Sequence, residues 1–399
     1  MISGYAFKSA EFGEEGVPVI KIKNIRVGTV DLSDAARVDE RFLRLDPKYH
    51  VKSGDLLISL TGSHMTQPNS VVGRVARMGY NPTSCLLNQR AGKIFLRNQN
   101  DADLTYLFYI LSSPQYGQKI AVMASGAANQ ANVSPTQVES LEIPIPDLPT
   151  QLRIAGILSA YDNLIANNLR RIRILEEMAQ SLYREWFVHF RFPGSAPTIH
   201  YDDALPLDWG IKSIMESAYC CFVNENIRSF EGAKSYFATA DLEGLELASE
   251  SPRYSFADKP SRAQKEPIAN SVWFARMQET YKVLLCVWAN SKRWENAMLS
   301  SGFAGFEAVD PDFLPFVFCT INTPDFHSLK DQYCTGATQR SLTNTGLNGI
   351  TIIEPPMDLV RRFGRIVNPF LDELAVLQLR NQILRQTRDL LLPKLLTSP

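Results

Sequence analysis

Apolar residues recur three or four positions apart through two long segments, residues 149–190 and 357–396. Such a repeat predicts two coiled-coil helices rather than two surface helices, although two unrelated core helices of a large domain remain the alternative. At ~1.5 Å per residue each apolar stripe is about 50 Å long, so we expect the two stripes to cover each other. The first passes through Ile154, Leu158, Tyr161, Ile165, Asn168, Ile172, Leu175, Ala179, Leu182 and Trp186, and the second through Phe363, Val367, Phe370, Leu374, Leu377, Asn381, Leu384, Arg388, Leu391 and Leu395.

Two asparagines within these stripes predict the relative direction of the helices. Asn168 is the fifth position of the first stripe and Asn381 the sixth of the second. In a parallel pair at the register of the repeat, each amide would face an apolar residue, at a cost of ~1–3 kcal/mol per unsatisfied group. In an antiparallel pair matched end to end, the two amides meet and fix direction and register. A frayed or solvent-facing asparagine is the alternative.

The repeat extends beyond the helices. Residues 141–146 resemble 350–355, residues 126–134 resemble 336–343, residues 54–59 resemble 270–275, and residues 19–25 resemble 236–242, at offsets of 209 to 217 residues. One unit of about 210 residues is therefore duplicated, which predicts two domains of similar fold, each followed by a long helix. We place the first domain at 1–148, its helix at 149–191, the second domain at 192–356 and its helix at 357–399.

The globular parts have mixed patterns. Short β-branched or alternating runs at 18–25, 56–61, 71–75 and 93–96 predict strands, and residues 104–111 and 116–122 predict helices on either side of Pro114. Each domain is therefore expected to be α+β. The second copy also carries a lead, residues 205–214, before its first strand at Tyr236, and the first copy has almost nothing equivalent.

Composition is that of a soluble globular protein, with 45% hydrophobic and 21% charged residues and a net charge of −1. No apolar run is long enough for a membrane span and the first residues carry no signal pattern, so we expect a cytoplasmic protein without a membrane partner. The six cysteines show no C-x-x-C spacing, which predicts reduced thiols and no structural metal.

Charge is unevenly distributed. Residues 56–100 contain no acidic residue but hold Arg74, Arg77, Arg90, Lys93 and Arg97. A local basic surface of this kind suits phosphate contact, and an ordinary solvated face is the alternative.

Motifs for catalysis are weak or missing. Neither a G-x-x-x-x-G-K-[ST] loop nor a G-x-G-x-x-G loop occurs. Asp46 and Lys48 form only half of a nuclease motif. Asn368, Pro369 and Phe370 match a short motif of amino-methyltransferases, but they lie in the second apolar stripe and no methyl-donor loop accompanies them. We therefore predict a non-catalytic chain.

These features together resemble the specificity (S) subunit of type I restriction–modification enzymes. The resemblance is carried by residues 3–9 running into 18–25, by residues 54–57, by the loops at 125–134 and 335–343, and by the two helices. It covers essentially the whole chain in the order variable domain, helix, variable domain, helix. The departure is the Pro-then-Trp lead of the family, present at 205–209 and missing from the first copy.

The resemblance implies a reader of double-stranded DNA. Each globular part would recognise one half of a split sequence, and the helices would set the spacing in a pseudo-two-fold arrangement. Two modification subunits, which bind S-adenosylmethionine and methylate adenine, would dock on the helices, and restriction subunits that use ATP and magnesium would join them. The chain itself would hold no cofactor. A protein-binding scaffold with two ligand modules on a coiled-coil spacer is the rival interpretation.

Base readers are expected among Arg, Lys, Asn, Gln and Thr near the strands and glycine loops, although any single one could instead contact phosphate or only solvent. In the first domain these candidates are Lys21, Lys23, Asn24, Thr61, Ser63, Gln67, Asn69, Arg74, Arg90 and Gln130. In the second they are Lys234, Tyr236, Thr239, Arg262, Arg276, Lys282, Gln339 and Arg340.

Overall fold

The structure is a computed structural model that describes residues 1–63, 71–81, 83–98, 100–124, 131–194, 205–206, 208–247 and 251–397. The chain divides into two units. Unit 1 consists of Met1–Tyr161 and Arg388–Pro399, and unit 2 of Asp162–Thr387.

Unit 1 contains two mixed sheets. Its strands are β1 (Ile2–Ser3), β2 (Phe12–Gly13), β3 (Val17–Ile20), β4 (Gly28–Thr29), β5 (Ala36–Val38), β6 (His50–Val51), β7 (Leu56–Ser59), β8 (Thr61–Gly62), β9 (Val75–Arg77), β10 (Cys85–Leu87), β11 (Ala91–Ile94) and β12 (Ala131–Asn132). One sheet has the order β1-β11-β7-β9-β4, the other β2-β5-β3-β10-β6, and β8 pairs with β12. The predicted strand at 71–75 is wrong, because the strand there begins only at Val75 and Gly73 adopts a positive φ of 76°.

Three short helices follow, α1 (Leu104–Ser112), α2 (Pro114–Met123) and α3 (Pro135–Glu139). Asp103 caps α1 by accepting a hydrogen bond from the Tyr106 amide, and Pro114 opens α2, where a missing N–H costs nothing. The helix α1 packs its apolar face on the sheet that contains β7. The two helices predicted around Pro114 are confirmed.

Unit 2 repeats this plan. Its strands are β13 (Gly210–Ser213), β14 (Cys220–Phe222), β15 (Lys234–Phe237), β16 (Leu242–Glu243), β17 (Glu246–Leu247), β18 (Arg253–Tyr254), β19 (Ala263–Lys265), β20 (Ser271–Ala275), β21 (Val283–Cys286), β22 (Ala297–Ser300), β23 (Phe303–Ala308), β24 (Cys334–Thr335), β25 (Ser341–Leu342) and β26 (Thr351–Glu354). Two sheets have the orders β14-β23-β20-β21 and β18-β15-β22-β19. The duplication is visible in the pairing, since β3 runs parallel to β10 as β15 does to β22.

The described residues of unit 2 form four short helices, of which the last three correspond to α1, α2 and α3 of unit 1. They are α5 (Ser291–Glu295), α6 (Leu314–Ile321), α7 (Pro324–Gln332) and α8 (Asn344–Leu347). The helix α6 is buried at every position and packs on β20 and β23 within a large aromatic core. The α+β class expected from the sequence is confirmed.

Two long helices follow the globular parts, α4 (Leu148–Tyr183) and α9 (Met357–Thr397). They are antiparallel wherever they meet within a unit. In unit 2, Asn168 meets Asn381 and the Tyr183 ring lies 6.3 Å from the Phe363 ring. In unit 1, the end of α9 at Leu391 and Leu395 joins the core that holds Ile154 and Leu158. The predicted antiparallel direction is confirmed.

The buried seam departs from the predicted stripe in several places, among them Leu182, which is half-buried while its neighbour Tyr183 is buried. Phe370 is only half-buried, whereas its neighbour Leu371 is fully buried. Beyond Tyr183 the first helix continues as a π-helical turn, Arg184–Val188. The wider turn brings both Trp186 and Phe187 into the core, where Phe187 lies 5.0 Å from both Phe316 and Phe363.

Candidate nucleic-acid interface

Parallel strands bring two polar segments of unit 1 to one edge. Because β3 and β10 run side by side in the same direction, the residues after them lie together, and the Asn88 amide donates to Ile20 O at 3.0 Å. Lys21 follows β3, and Arg90 follows β10, where its amide is held by the Asn88 side chain at 3.3 Å. The end of this parallel pair therefore carries basic side chains.

The end of β7 adds further polar residues to the same edge. The Leu60 amide donates to Arg90 O, and the Ser59 amide donates to Arg74 O, both at 2.9 Å. One residue on, Thr61 Oγ1 donates to Asn132 Oδ1 at 2.8 Å across the β8–β12 pair. Residues 61, 74 and 90, which the sequence indicated separately, are thus adjacent. This group, with Lys21 and Asn132, is called the unit 1 edge.

The side chains of the unit 1 edge differ in what they can still bind. Arg90 is exposed, and its guanidinium makes no hydrogen bond or ion pair with any described residue. Arg74 is half-buried with Nη1 3.4 Å from Ile25 O, and burial together with Arg26 lowers its pKa. Lys21 lies 3.5 Å above the Phe12 ring, and burial followed by Lys23 lowers its pKa. Arg90 is consequently the most accessible cation of this edge.

Two candidates near the edge serve the fold. Asn24 is fully buried; its Oδ1 accepts from the Lys21 amide, and its Nδ2 donates to Asp31 O and to Asp34 Oδ1. No edge of its amide is left for a base. Lys23 is half-exposed and donates to the Asp34 carbonyl and carboxylate at 2.7 and 2.9 Å, so a phosphate would have to compete with an acid.

The acid-free stretch does not form one surface. Antiparallel pairing of β7 with β9 and β11 sets Leu56 opposite both Arg77 and Ile94, so Arg77, Lys93 and Arg97 lie toward the start of β7. Lys93 also pairs with Asp55 at 3.4 Å. Only Arg74 and Arg90 reach the edge, because they directly precede β9 and β11, and both strands run from the edge toward the start of β7.

Unit 2 gathers its own candidates at the equivalent place. The Arg276 amide donates to Gly302 O at 2.8 Å, as Leu60 does to Arg90. A Cβ on Gly302 would lie 3.3 Å from the Thr239 side chain, and Lys282 Nζ donates to Thr239 O at 2.8 Å. Arg262 is exposed beside them, its carbonyl accepting from the Ser301 amide.

The glycine loop completes the unit 2 edge. Met277 bridges to Ser341, and Arg340 O accepts from the Gln278 amide at 3.1 Å. Gln339 and Arg340 are both exposed, although Arg340 Nη2 also donates to Cys334 O. The unit 2 edge is the set Thr239, Arg262, Arg276, Lys282, Gln339 and Arg340.

Arg276 has a structural role at this edge. Its three guanidinium nitrogens donate to Phe303 O, Leu342 O and Asn344 Oδ1 at 3.1, 3.1 and 2.8 Å, and burial lowers its pKa. Lys234 lies at the other end of β15, where it pairs with Glu266, and Tyr236 is half-buried against Tyr254. These three candidates are not free to read a base as they stand.

Some predictions cannot be placed. Gln67, Asn69 and Gln130 lie outside the described residues, and Ser63 is half-buried at the limit of a described range. Asn132 was missed. It is exposed, and its Nδ2 has no partner among the described residues while Oδ1 holds Thr61. Its place at the end of the first glycine loop was the signal available in the sequence.

Catalytic groupings are weak in the described part of the chain. No group of three or more His, Cys, Asp or Glu that could hold a metal occurs there. Asp46 caps a short 3-10 turn and pairs with Lys48 at 3.2 Å, and Asn368 donates to Pro311 O and Asp312 Oδ1. No helix in the described ranges is long and apolar enough to cross a membrane.

The class of protein follows from this geometry: a duplicated α+β chain that carries a polar, partly basic edge in each unit and two long antiparallel helices. Residues 1–177 match the family model of the type I restriction modification DNA specificity domain. The resemblance inferred from the sequence is confirmed at this level.

Individual relatives agree. The putative type I restriction enzyme MjaX specificity subunit of Methanocaldococcus jannaschii is 27% identical over 205 residues, which cover 51% of this chain and 47% of that protein. The HindI specificity subunit of Haemophilus influenzae is 24% identical over 353 residues, covering 73% of this chain and 76% of that protein. This chain thus spans only about half of the MjaX protein and three quarters of the HindI protein.

A solved structure shows the same fold. The S subunit of a type I restriction–modification system from M. genitalium is 16% identical, with a TM-score of 0.56, and the alignment covers 100% of this chain and 93% of that one.

Proposed function

We propose that this chain is the DNA-reading, non-catalytic subunit of a cytoplasmic type I restriction–modification complex and recognises a split, asymmetric duplex sequence. The observation that carries the proposal is the pair of equivalent edges, built on the same backbone bonds but bearing different side chains. Arg90 stands where unit 2 has Gly302, and the Thr61–Asn132 pair stands where unit 2 has Met277 and Ser341. Two readers of one fold with unlike side chains are suited to two unlike half-sites.

The electrostatics of the edges support a polyanionic ligand. Exposed guanidiniums at Arg90, Arg262 and Arg340 suit contacts to phosphate or to guanine. Exposed amides at Asn132 and Gln339 suit base edges, since Asn and Gln bind adenine with two hydrogen bonds.

The proposed complex also contains two modification subunits and the restriction subunits. S-adenosylmethionine, ATP and magnesium belong to those partners in this proposal. The helix α4 supports a docking surface for these partners. Its Leu164, Ile174 and Met178 lie within an arc of about 100° around the helix axis and are 52%, 48% and 46% exposed. Large apolar side chains this exposed favour burial against a partner protein.

The experiment that tests the proposal is methylome sequencing of cells that express the chain with a cognate modification subunit. We expect adenine methylation at one sequence made of two short, different halves with a fixed spacer. Methylation at one short continuous palindrome would contradict the proposal, and so would a methylation pattern that is the same with and without the chain.

Matched arginine variants test the position of the interface. Arg90→Ala removes an edge cation, whereas Arg97→Ala removes an exposed cation from the opposite end of the same strand pair. A lost phosphate contact lowers the slope of log K against log salt by about 0.9 on every duplex, and a lost base contact costs ~1–3 kcal/mol on the cognate duplex only. In unit 2, Arg262→Ala is compared with Arg228→Ala, which is ion-paired with Glu225. Equal behaviour of the edge variants and their controls would show that the edges are not the interface.

A further inference from the structure

One buried lysine holds the turn that joins β20 to β21 in unit 2. Lys330, near the end of α7, is 0% exposed, and its Nζ donates to the carbonyls of Met277 and Thr280 at 2.7 and 3.1 Å. Both carbonyls lie in the turn, beyond Phe274 and Val283, the last residues that the two strands pair. The charged end of the lysine therefore binds the backbone of the turn from the side of the core.

The next residue of the helix, Asp331, binds the same turn. Its Oδ1 lies 2.9 Å from Lys330 Nζ and accepts from the Glu279 amide at 3.1 Å, and its Oδ2 accepts from the Tyr281 hydroxyl at 3.0 Å. Glu279 has a φ of 55°, a left-handed conformation that costs free energy in a residue with a side chain, and the bond to Asp331 offsets part of this cost. We call Lys330 and Asp331 the α7 clamp.

The turn in turn supports the glycine loop of the unit 2 edge. The Gln278 amide donates to Arg340 O at 3.1 Å, and Gln339 Nε2 donates to Met277 Sδ at 2.9 Å. Gln339 and Arg340 are the exposed candidates of this loop, so their position depends on where the turn lies. The α7 clamp does not itself face a ligand, because its lysine is buried and both oxygens of its carboxylate accept hydrogen bonds.

Unit 1 has an isoleucine at the equivalent position. Counted from the proline that opens each helix, Pro114 in α2 and Pro324 in α7, Ile120 corresponds to Lys330. Ile120 is also 0% exposed, and a Cβ on Gly73, shortly before β9, would lie only 2.6 Å from its Cγ2. In both units this helix position contacts the connection between the equivalent strands, through apolar packing in unit 1 and through hydrogen bonds in unit 2. The fold therefore does not require a lysine here.

The lysine restricts the position of the turn more than an apolar side chain would. Its ammonium has three N–H donors, and three oxygens lie within 3.1 Å of it, namely the two carbonyls and Asp331 Oδ1. A fully buried charge lowers stability unless it is paired and hydrogen-bonded in this way, and an isoleucine has no such requirement. Hydrogen bonds depend on angle whereas apolar contacts are non-directional, so the lysine fixes where the turn lies.

We propose that Lys330 and Asp331 are positioning residues for DNA recognition by unit 2. They hold the β20–β21 turn, and with it Gln339 and Arg340, in the arrangement that reads one half of the split target. The inference rests on the proposed function and adds two residues that determine specificity without touching DNA. Recognition of the other half, by unit 1, does not depend on them.

The test uses the full chain with Lys330→Met and Asp331→Asn combined. Methionine keeps the apolar stem of the lysine, and asparagine keeps the shape of the aspartate with only one acceptor oxygen. The pair of changes leaves the net charge as it is, so the long-range attraction of DNA is unaltered. The matched control compares Asp331→Asn alone with Asp325→Asn, which removes the same charge from an exposed position about 9 Å further along the same helix.

The first measurement needs no DNA. Hydrogen exchange of the amides at 276–282 reports how often the turn opens. We expect exchange there to be about tenfold faster or more in the double variant, and faster in Asp331→Asn, with no change in Asp325→Asn or in the amides of unit 1. Equal exchange in the double variant and the native chain would overturn the inference.

The second measurement is methylome sequencing of cells that express each variant with the cognate modification subunit. In the double variant we expect one half of the target to become degenerate, with methylation at mismatched forms of that half raised about tenfold or more, and the other half to be read as before. A general loss of folding would instead lower methylation at all sites in proportion. Both halves unchanged, or a uniform loss, would therefore overturn the inference.

The two measurements separate this inference from the proposed function. A native chain that directs methylation to a split sequence, together with a double variant that reads both halves as before, would overturn only the role of the α7 clamp. A native chain that directs no such methylation would contradict the proposed function. Faster exchange in that case would leave the clamp as a purely structural contact, which overturns its role in recognition as well.

Discussion

The amide pair between the long helices is a polar layer with an unequal distribution of hydrogen bonds. Asn168 Nδ2 donates to Asn381 Oδ1 at 2.9 Å, and the two residues are 8% and 0% exposed. The Nδ2 of Asn381 is buried and has no partner among the described residues. Residues on either side are apolar and buried, among them Ile172 and Leu377. The layer therefore already contains one unsatisfied donor, and this predicts that its two members respond differently to substitution.

The magnitudes follow from counting unsatisfied groups at ~1–3 kcal/mol each. Asn168→Leu leaves Oδ1 of Asn381 without its donor and keeps the unsatisfied Nδ2, so the free energy of unfolding should fall by ~1–3 kcal/mol. Asn381→Leu removes the unsatisfied Nδ2 of Asn381 but leaves the Nδ2 of Asn168 without its acceptor. The two effects on the free energy of unfolding offset each other to within about 1 kcal/mol. The double variant removes every buried amide of the layer and adds apolar burial, so it should be more stable than the native chain.

The assay is urea unfolding of the four proteins followed by helical circular dichroism, with hydrogen exchange of α9 amides to localise the effect. In the double-mutant cycle, the double variant is expected to be more stable than the sum of the two single effects predicts, which gives a favourable coupling energy between the two leucines. Disulfide formation between cysteines at 168 and 381, in a background without the native thiols, measures the register. Equal losses from both single variants, or a double variant less stable than either single variant, would refute the reasoning.

Two further predictions concern glycines in the long helices and a buried histidine in unit 2. A Cβ on Gly364 in α9 would lie 1.8 Å from Asp312 O, whereas a Cβ on Gly156 in α4 would meet nothing within 4 Å. In urea unfolding, Gly364→Ala should therefore lower the free energy of unfolding by ~1–3 kcal/mol, and Gly156→Ala should raise it by up to ~1 kcal/mol. Similar effects of the two substitutions would contradict the packing. Burial, and to a smaller extent the charge of Lys330, lowers the pKa of His327 to about 4. The folded state therefore binds a proton at His327 less readily than the unfolded state does. About 3 kcal/mol of stability that is present above pH 6.5 is lost as the pH falls toward 4. Thermal melts from pH 7 to 4 should show this loss in the native chain and a smaller one in His327→Gln, and an unchanged pH dependence in the variant would count against it.

The long helices were predictable because their pattern is redundant. Ten positions in each segment indicate the same period, and two polar positions then suffice to choose a direction. The same redundancy does not resolve adjacent apolar residues. Phe370 and Leu371 both suit a step of three or four, and the helix buries Leu371 because a straight α-helix advances by 3.6 residues per turn rather than 3.5. The π-helical turn at Arg184–Val188 has no signal in the periodicity at all.

The location of the candidate interface was more predictable than the role of each residue in it. Polar residues that flank strands are expected at the ends of those strands, and residues 61, 74, 90, 239, 262, 276 and 282 do lie there. What a side chain binds depends on atoms brought close by long-range pairing. Arg276 is held by Leu342 and Asn344, more than sixty residues away, so the sequence could not show that its guanidinium is already occupied.

The duplication itself separates structural residues from readers. Where both units make the same bond with related side chains, the bond serves the fold. Asn24 accepts from the Lys21 amide as Asp241 does from the Ala238 amide, and Asn88 holds the Arg90 amide as Ser300 holds that of Gly302. Such positions must be filled whatever DNA the proposed reader binds.

Where the backbone is equivalent and the side chains differ, a side chain that its own unit does not bind, unlike Arg276, is not required by the fold. At one such position unit 1 has Arg90 and unit 2 has Gly302; at another, the Thr61–Asn132 pair stands where unit 2 has Met277 and Ser341. A side chain that the fold does not require, on a backbone that the fold fixes, can change without loss of stability. Substitutions that change which DNA sequence is recognised are therefore expected to concentrate at Arg90 and Asn132 in unit 1 and at Gln339 and Arg262 in unit 2. Asn24 and Arg276, in contrast, stay bound to their own unit.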